Sequence, residues 1–261
     1  MKACFVFALL IAVASTGIPD PTDLLKYFTD PENWPLKPKL NTADRIAGHG
    51  YPAETHEVVT KDGYKITAFR MPYSHKLQNQ NEHRPIVLLL HGLFCSSDFW
   101  ILNGPNDALS FNLVDAGYDV WILNSRGNTY GRKHISRSPE YSNFWRFSWH
   151  EIGYYDIAAQ IDYALATNGQ GQESVHFVAH SQGTSAFFVL MATRPEYNAK
   201  IKTAHTMAPI AYVTNTAEKM VTIMAPVLGH QNVFAELFSD QEFLPHNELF
   251  SKLGYNVCRP D

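Results

Sequence analysis

The sequence has 261 residues, 45% hydrophobic and 18% charged, with a formal net charge of −4. That balance belongs to a globular chain long enough for one large α/β domain or for one domain with an appendage. The acidic balance gives no footing for a nucleic-acid partner, and neither an internal repeat nor a low-complexity run is present. The 12 histidines would turn the chain positive in a mildly acidic compartment if they titrate near their usual value.

Residues 1–17 read as a secretory signal peptide. Lys2 gives the charged start, residues 4–13 form an apolar run too short to span a bilayer, and Ala12-Val13-Ala14 meets the small-residue cleavage rule. No later stretch is apolar for long enough to serve as a transmembrane segment, so the expectation is entry into the secretory route. No N-x-Ser/Thr triplet occurs, so N-glycosylation is not expected. Loss of the signal removes Cys4 and leaves Cys95 and Cys258. Cys95 reads as a small buried residue, and Cys258 as half of a pair whose partner is absent.

Residues 18–52 form an irregular, proline-rich N-terminal segment with one short helix at 22–28. Residues 54–60 and 64–70 alternate around Lys61-Asp62-Gly63, a hairpin signal. Residues 74–84 are polar and read as a loop. Residues 85–90 are continuously apolar, as in the buried strands of a parallel sheet. A helix is expected over 106–116, with Leu109 and Leu113 on one face and Gly117 beyond its end. A strand follows at 119–123, then a long loop over 124–148. An amphipathic helix covers 150–167, with Tyr154, Ala158, Ile161 and Leu165 sharing a face. Another strand runs over 175–179, a helix over 183–192, and a last strand over 202–209. A hairpin followed by alternating strands and helices implies a mixed sheet with a parallel centre, spanning 53–213.

The most informative stretch is Ala179-His180-Ser181-Gln182-Gly183. It places a serine on a sharp strand-to-helix turn, the nucleophile elbow of the α/β-hydrolase fold, with alanine replacing the first glycine of G-x-S-x-G. The helix that starts at Gln182 points its free N–H groups and positive dipole end at Ser181, which favours a developing oxyanion. His91-Gly92-Leu93 closes the apolar strand 85–90. In this fold that loop supplies one oxyanion donor and the residue after the nucleophile supplies the other, giving the backbone N–H groups of Leu93 and Gln182. Gly92 lets the backbone approach a substrate carbonyl. His91, Gly92, His180 and Gly183 support the loop and the elbow.

Two other patterns fail. His150-Glu151-Ile152-Gly153-Tyr154 begins like a zinc-protease helix but has tyrosine where the second ligand belongs. Arg126-Gly127-Asn128-Thr129-Tyr130-Gly131 lacks the lysine of a phosphate loop and reads as a turn-rich loop at the carboxyl edge of the sheet. No metal or cofactor is called for.

The chain resembles the acid lipases, the gastric and lysosomal group, and most of all their insect members. The resemblance rests on Gly50-Tyr51-Pro52-Ala53-Glu54, His91-Gly92-Leu93, residues 117–121, 124–130 and 147–156, the elbow, and Glu242-Phe243-Leu244-Pro245. It implies a secreted or lysosomal hydrolase of triacylglycerols or sterol esters at a lipid–water interface, with Ser181 as nucleophile, Leu93 and Gln182 as oxyanion donors, and a cap or lid beginning near 214 and running through 261. The fold places the acid and the histidine of the triad after the nucleophile. The candidates there are His205, His230 and His246, with Asp240 and Glu242. None is well placed, so the triad acid and base are expected to be missing from this chain, which reads as truncated before its last strands. A catalytically incomplete, lipid-binding relative is the alternative. Oligomeric state is not legible.

Overall fold

The computed structural model describes residues 40–212. The expected signal peptide, the helix at 22–28, the cap segment 214–261 and, within it, His230, Asp240, Glu242, His246 and Cys258 lie outside the described residues.

A helix not expected from the sequence comes first. Helix α1, Thr42–Gly48, is started by a capping box in which Asn41 Oδ1 accepts from the Asp44 N–H and Asp44 Oδ2 accepts from the Asn41 N–H. The hairpin follows as strands β1, Glu54–Val59, and β2, Tyr64–Met71, paired antiparallel. Gly63, at φ +98, closes its turn in a conformation that L side chains rarely adopt. Strand β3, Ile86–Leu90, is buried at every position, as its continuous apolar run requires. Strands β4, Asp119–Leu123, and β6, Val175–His180, flank it in parallel, and β7, Ile201–Met207, adds in parallel outside β6. The order is β1-β2-β4-β3-β6-β7, with the two-residue strand β5, Lys133–His134, paired to β2 inside the segment expected to be all loop. This is the anticipated mixed sheet with a parallel centre.

Alternation along the strands builds a core on each face. Ile86, Leu88 and Leu90 point with Trp121, Phe177 and Ala179 to one side, while Val87 and Leu89 point with Phe69, Val120 and Ile122 to the other. Each fully buried side chain of this size contributes about 1.5–3 kcal/mol relative to exposure.

Two helices differ from expectation. The stretch 106–116 divides into α2, Gly104–Asp107, and α3, Leu109–Asp115, because Ala108 between them is extended. Phe111 and Val114 of α3 face the core and Leu109 is exposed. The stretch 150–167 begins as α4, Trp149–Glu151, runs through a π-helical segment, Ile152–Ile157, and continues as α5, Ala158–Asn168. A tertiary ion pair accompanies the bulge. Asp156, fully buried, accepts hydrogen bonds from the backbone N–H and guanidinium of Arg126, whose other edge donates to Asp62. Ser148 and Glu151 form a second capping box at the start of α4, so the glutamate of the failed zinc pattern serves the helix N-terminus. Helix α6, Gln182–Thr193, then packs on β6 through stacked Phe177 and Phe187 rings. No helix among the described residues is long and apolar enough to cross a membrane.

Candidate active site

Ser181 lies between the last residue of β6 and the first of α6, with φ 51 and ψ −120. A non-glycine residue here costs on the order of 1–3 kcal/mol and is retained only where the surroundings over-determine it. They do so here. The Ser181 N–H donates to the Met207 carbonyl of β7 at 3.0 Å, and its carbonyl accepts from the Thr184 N–H at 2.9 Å and the Thr184 hydroxyl at 2.6 Å. The turn projects the side chain beyond the carboxyl end of the sheet, at the N-terminus of a 12-residue helix. Ala179, in place of the usual glycine, is fully buried, so its methyl is accommodated.

Two glycines bring the elbow and the 91–93 loop together. A methyl on Gly92 would lie 3.0 Å from the Ser181 Cβ and 3.0 Å from His180 Nδ1. A methyl on Gly183 would lie 2.6 Å from the His91 carbonyl oxygen, nearer than real Cβ atoms come to backbone. Hydrogen at both positions therefore lets the end of β3 and the start of α6 meet. His180 stacks on Phe99, with centroids 4.9 Å apart, and its buried Nδ1 has no hydrogen-bond partner among the described residues. The Leu93 side chain is half exposed. Cys95 is half-buried and free, not fully buried as expected, because the loop carrying it turns out toward the cavity.

His91 is buried and neutral. Its Nδ1 is 2.8 Å from the Gly92 carbonyl oxygen and its Nε2 is 2.9 Å from Asn128 Nδ2. Burial pushes its pKa down to about 4. His205 sits opposite Val178 in the β6–β7 register, three residues before Ser181, and its Nε2 bonds Thr203 Oγ1. Among the described residues no imidazole hydrogen-bonds the Ser181 hydroxyl. Groups of three or more metal-ligating side chains are likewise absent among them.

A cavity of about 540 Å³ opens beside the 91–96 loop and reaches Gln182, although Ser181 itself is not on its wall. Leu93, Phe94, Trp145, Phe147, Trp149 and Ile152 give it an apolar side. Sequence reading missed Asn128, Phe99 and the aromatic wall. The first stands in a loop without periodicity, and the others are brought in by chain segments far apart in sequence.

Comparison with known proteins agrees with this geometry. Residues 85–253 match the family described as alpha/beta hydrolase fold, and residues 42–104 match the partial alpha/beta-hydrolase lipase region. The chain is 45% identical to Lipase 3 of Drosophila melanogaster over 85% of its own length and 56% of that protein's. It is 42% identical to gastric triacylglycerol lipase of Homo sapiens, over 84% of this chain and 54% of the relative. It is 38% identical to lysosomal acid lipase/cholesteryl ester hydrolase of Homo sapiens, over 88% and 55%. The chain thus spans a little over half the length of these relatives. Among solved structures, an epoxide hydrolase from Vigna radiata is similar at TM-score 0.42 and 23% identity, over 69% of this chain and 45% of that one. With a match to the fold family across residues 85–253 and a strained serine turn at its centre, the chain belongs to the α/β hydrolase fold family.

Proposed function

We propose that the chain carries the nucleophile and oxyanion half of a lipase-type serine ester hydrolase that acts on triacylglycerols or sterol esters. The observation that carries this reading is Ser181 held at φ 51 between β6 and α6, with Gly92 and Gly183 packed against the turn. In the proposed reaction the Ser181 hydroxyl attacks the ester carbonyl. The carbonyl oxygen takes the negative charge and is received by the Leu93 and Gln182 N–H groups and the positive end of α6. The ester C–O bond breaks, the leaving oxygen takes the proton given up by Ser181 and departs as the alcohol, and water then adds to the acyl carbon, releasing the acid and returning a proton to the Ser181 oxygen. The apolar side of the cavity beside the oxyanion loop suits an acyl chain or a sterol, and the names of the gastric and lysosomal relatives supply the two ester classes. A signal-like N-terminus fits a secreted or lysosomal setting.

Expression of the chain and assay on a short-chain nitrophenyl ester and on emulsified triacylglycerol, at acidic and neutral pH, tests the reading. In an intact enzyme that supplies the triad acid and base, Ser181→Ala should lower turnover roughly 10⁴-fold or more. The alternative, a catalytically incomplete lipid-binding relative, draws on the lack of an imidazole bonded to Ser181 among the described residues. Retained emulsion binding without turnover by the wild-type chain would favour it.

A further inference from the structure

We propose that Asn128 is a positioning residue for the oxyanion loop: it locks His91 in the Nδ1–H tautomer, and His91 in turn aims the Gly92–Leu93 peptide. This rests on the reading of Leu93 as an oxyanion donor.

The lock follows from donors and acceptors whose sense is fixed by the main chain. The Tyr130 N–H donates to Asn128 Oδ1 at 2.9 Å, the Ser97 N–H donates to Asn124 Oδ1 at 2.8 Å, and Asn124 Nδ2 donates to the Thr67 carbonyl at 2.8 Å. A backbone N–H only donates and a carbonyl only accepts, so neither amide can be turned over. The amino group of Asn128 must therefore face both Asn124 Oδ1, at 2.8 Å, and His91 Nε2, at 2.9 Å. An amino group has no lone pair to offer, so His91 Nε2 has to accept. The ring proton is then on Nδ1, where it is donated to the Gly92 carbonyl at 2.8 Å. The low pKa of the buried ring agrees with a neutral imidazole.

The consequence reaches the oxyanion donor through one peptide plane. The Gly92 carbonyl also accepts from the Cys95 N–H at 3.3 Å, so two donors fix its direction. Peptide bonds among the described residues are trans, which sets the Leu93 N–H opposite that carbonyl. The Asn124–Asn128 pair thus grips the loop at His91 and again at Ser97. Between these grips Phe94 is held at φ 60, a conformation that relaxes if the loop is released.

The test uses the full chain with isotope-labelled histidine. The wild type should show His91 protonated at Nδ1 and unprotonated at Nε2 near neutral pH. Asn128→Asp keeps the shape but offers only acceptors, so His91 should become protonated at Nε2. On a soluble nitrophenyl ester this variant should lose roughly tenfold to a hundredfold in kcat, with KM within about twofold. Asn128→Leu, which removes donor and acceptor alike, should lose kcat similarly. An Nε2–H tautomer or an imidazolium in the wild type overturns the proposal even if neither variant folds. So does an unchanged kcat in a folded Asn128→Asp protein. A wild type with the expected tautomer, shifted by Asn128→Asp, but with no ester turnover would support the tautomer lock and favour the catalytically incomplete alternative.

Discussion

Replacing Ser181 by glycine should make the protein more stable than replacing it by alanine, although both remove the hydroxyl. At φ 51 and ψ −120 a side chain at this position costs on the order of 1–3 kcal/mol. Glycine relieves that cost, while its extra freedom in the unfolded chain returns roughly 0.5–1 kcal/mol. The methyl lost on going from alanine to glycine sits beside Gly92 and His180, in a site already tight, so little packing is forfeited. The net gain of Ser181→Gly over Ser181→Ala should centre on about 1 kcal/mol and reach at most about 2.5 kcal/mol. Urea unfolding followed by tryptophan fluorescence measures it, with equal m-values required for the comparison. A Ser181→Gly protein equal to or less stable than Ser181→Ala would refute the claim that the elbow is held under strain.

Gly183→Ala should destabilise the fold by about 1–3 kcal/mol and lower the rate of Ser181 phosphonylation, because the new methyl pushes α6 off the His91 carbonyl. Gly48→Ala, in α1 with nothing near the added methyl, should be neutral or stabilising and serves as the control. Arg126→Met leaves Asp156 buried beside the π-helical segment without its cation and should cost about 3–5 kcal/mol, read from the urea midpoint. His91 is depressed to about 4 by burial, so the unfolded chain binds its proton first as pH falls. This group's stabilisation is therefore intact above about 6.5 and declines by about 3 kcal/mol as pH falls to about 4. His91→Gln should show a shallower loss of stability across that window, and identical slopes would contradict the buried neutral ring.

Those features set by local pattern were legible in the sequence. The apolar run of β3, the Asp62-Gly63 hairpin turn and the strand–serine–helix succession each depend on residues within a few positions of one another. The 91–93 loop was legible from its position at the end of β3. Tertiary contacts account for most of the rest. The π-helical segment accompanies the pairing of Asp156 with Arg126, 30 residues away in the chain. The Asn124–Asn128 pair acquires its meaning from Thr67, His91 and Ser97, none of which is its sequence neighbour. Helix α1 is different: Asn41 and Asp44 spell a capping box, but the segment around it is too short for periodicity to mark it.

The central claim is that Ser181 is a nucleophile poised by the elbow. The most direct measurement is exposure of the folded chain to a serine-reactive alkyl phosphonate, followed by mass mapping of the peptides. The account predicts one adduct, on Ser181, that disappears in Ser181→Ala and in urea-unfolded protein. Adducts at other residues with Ser181 unmodified would contradict it.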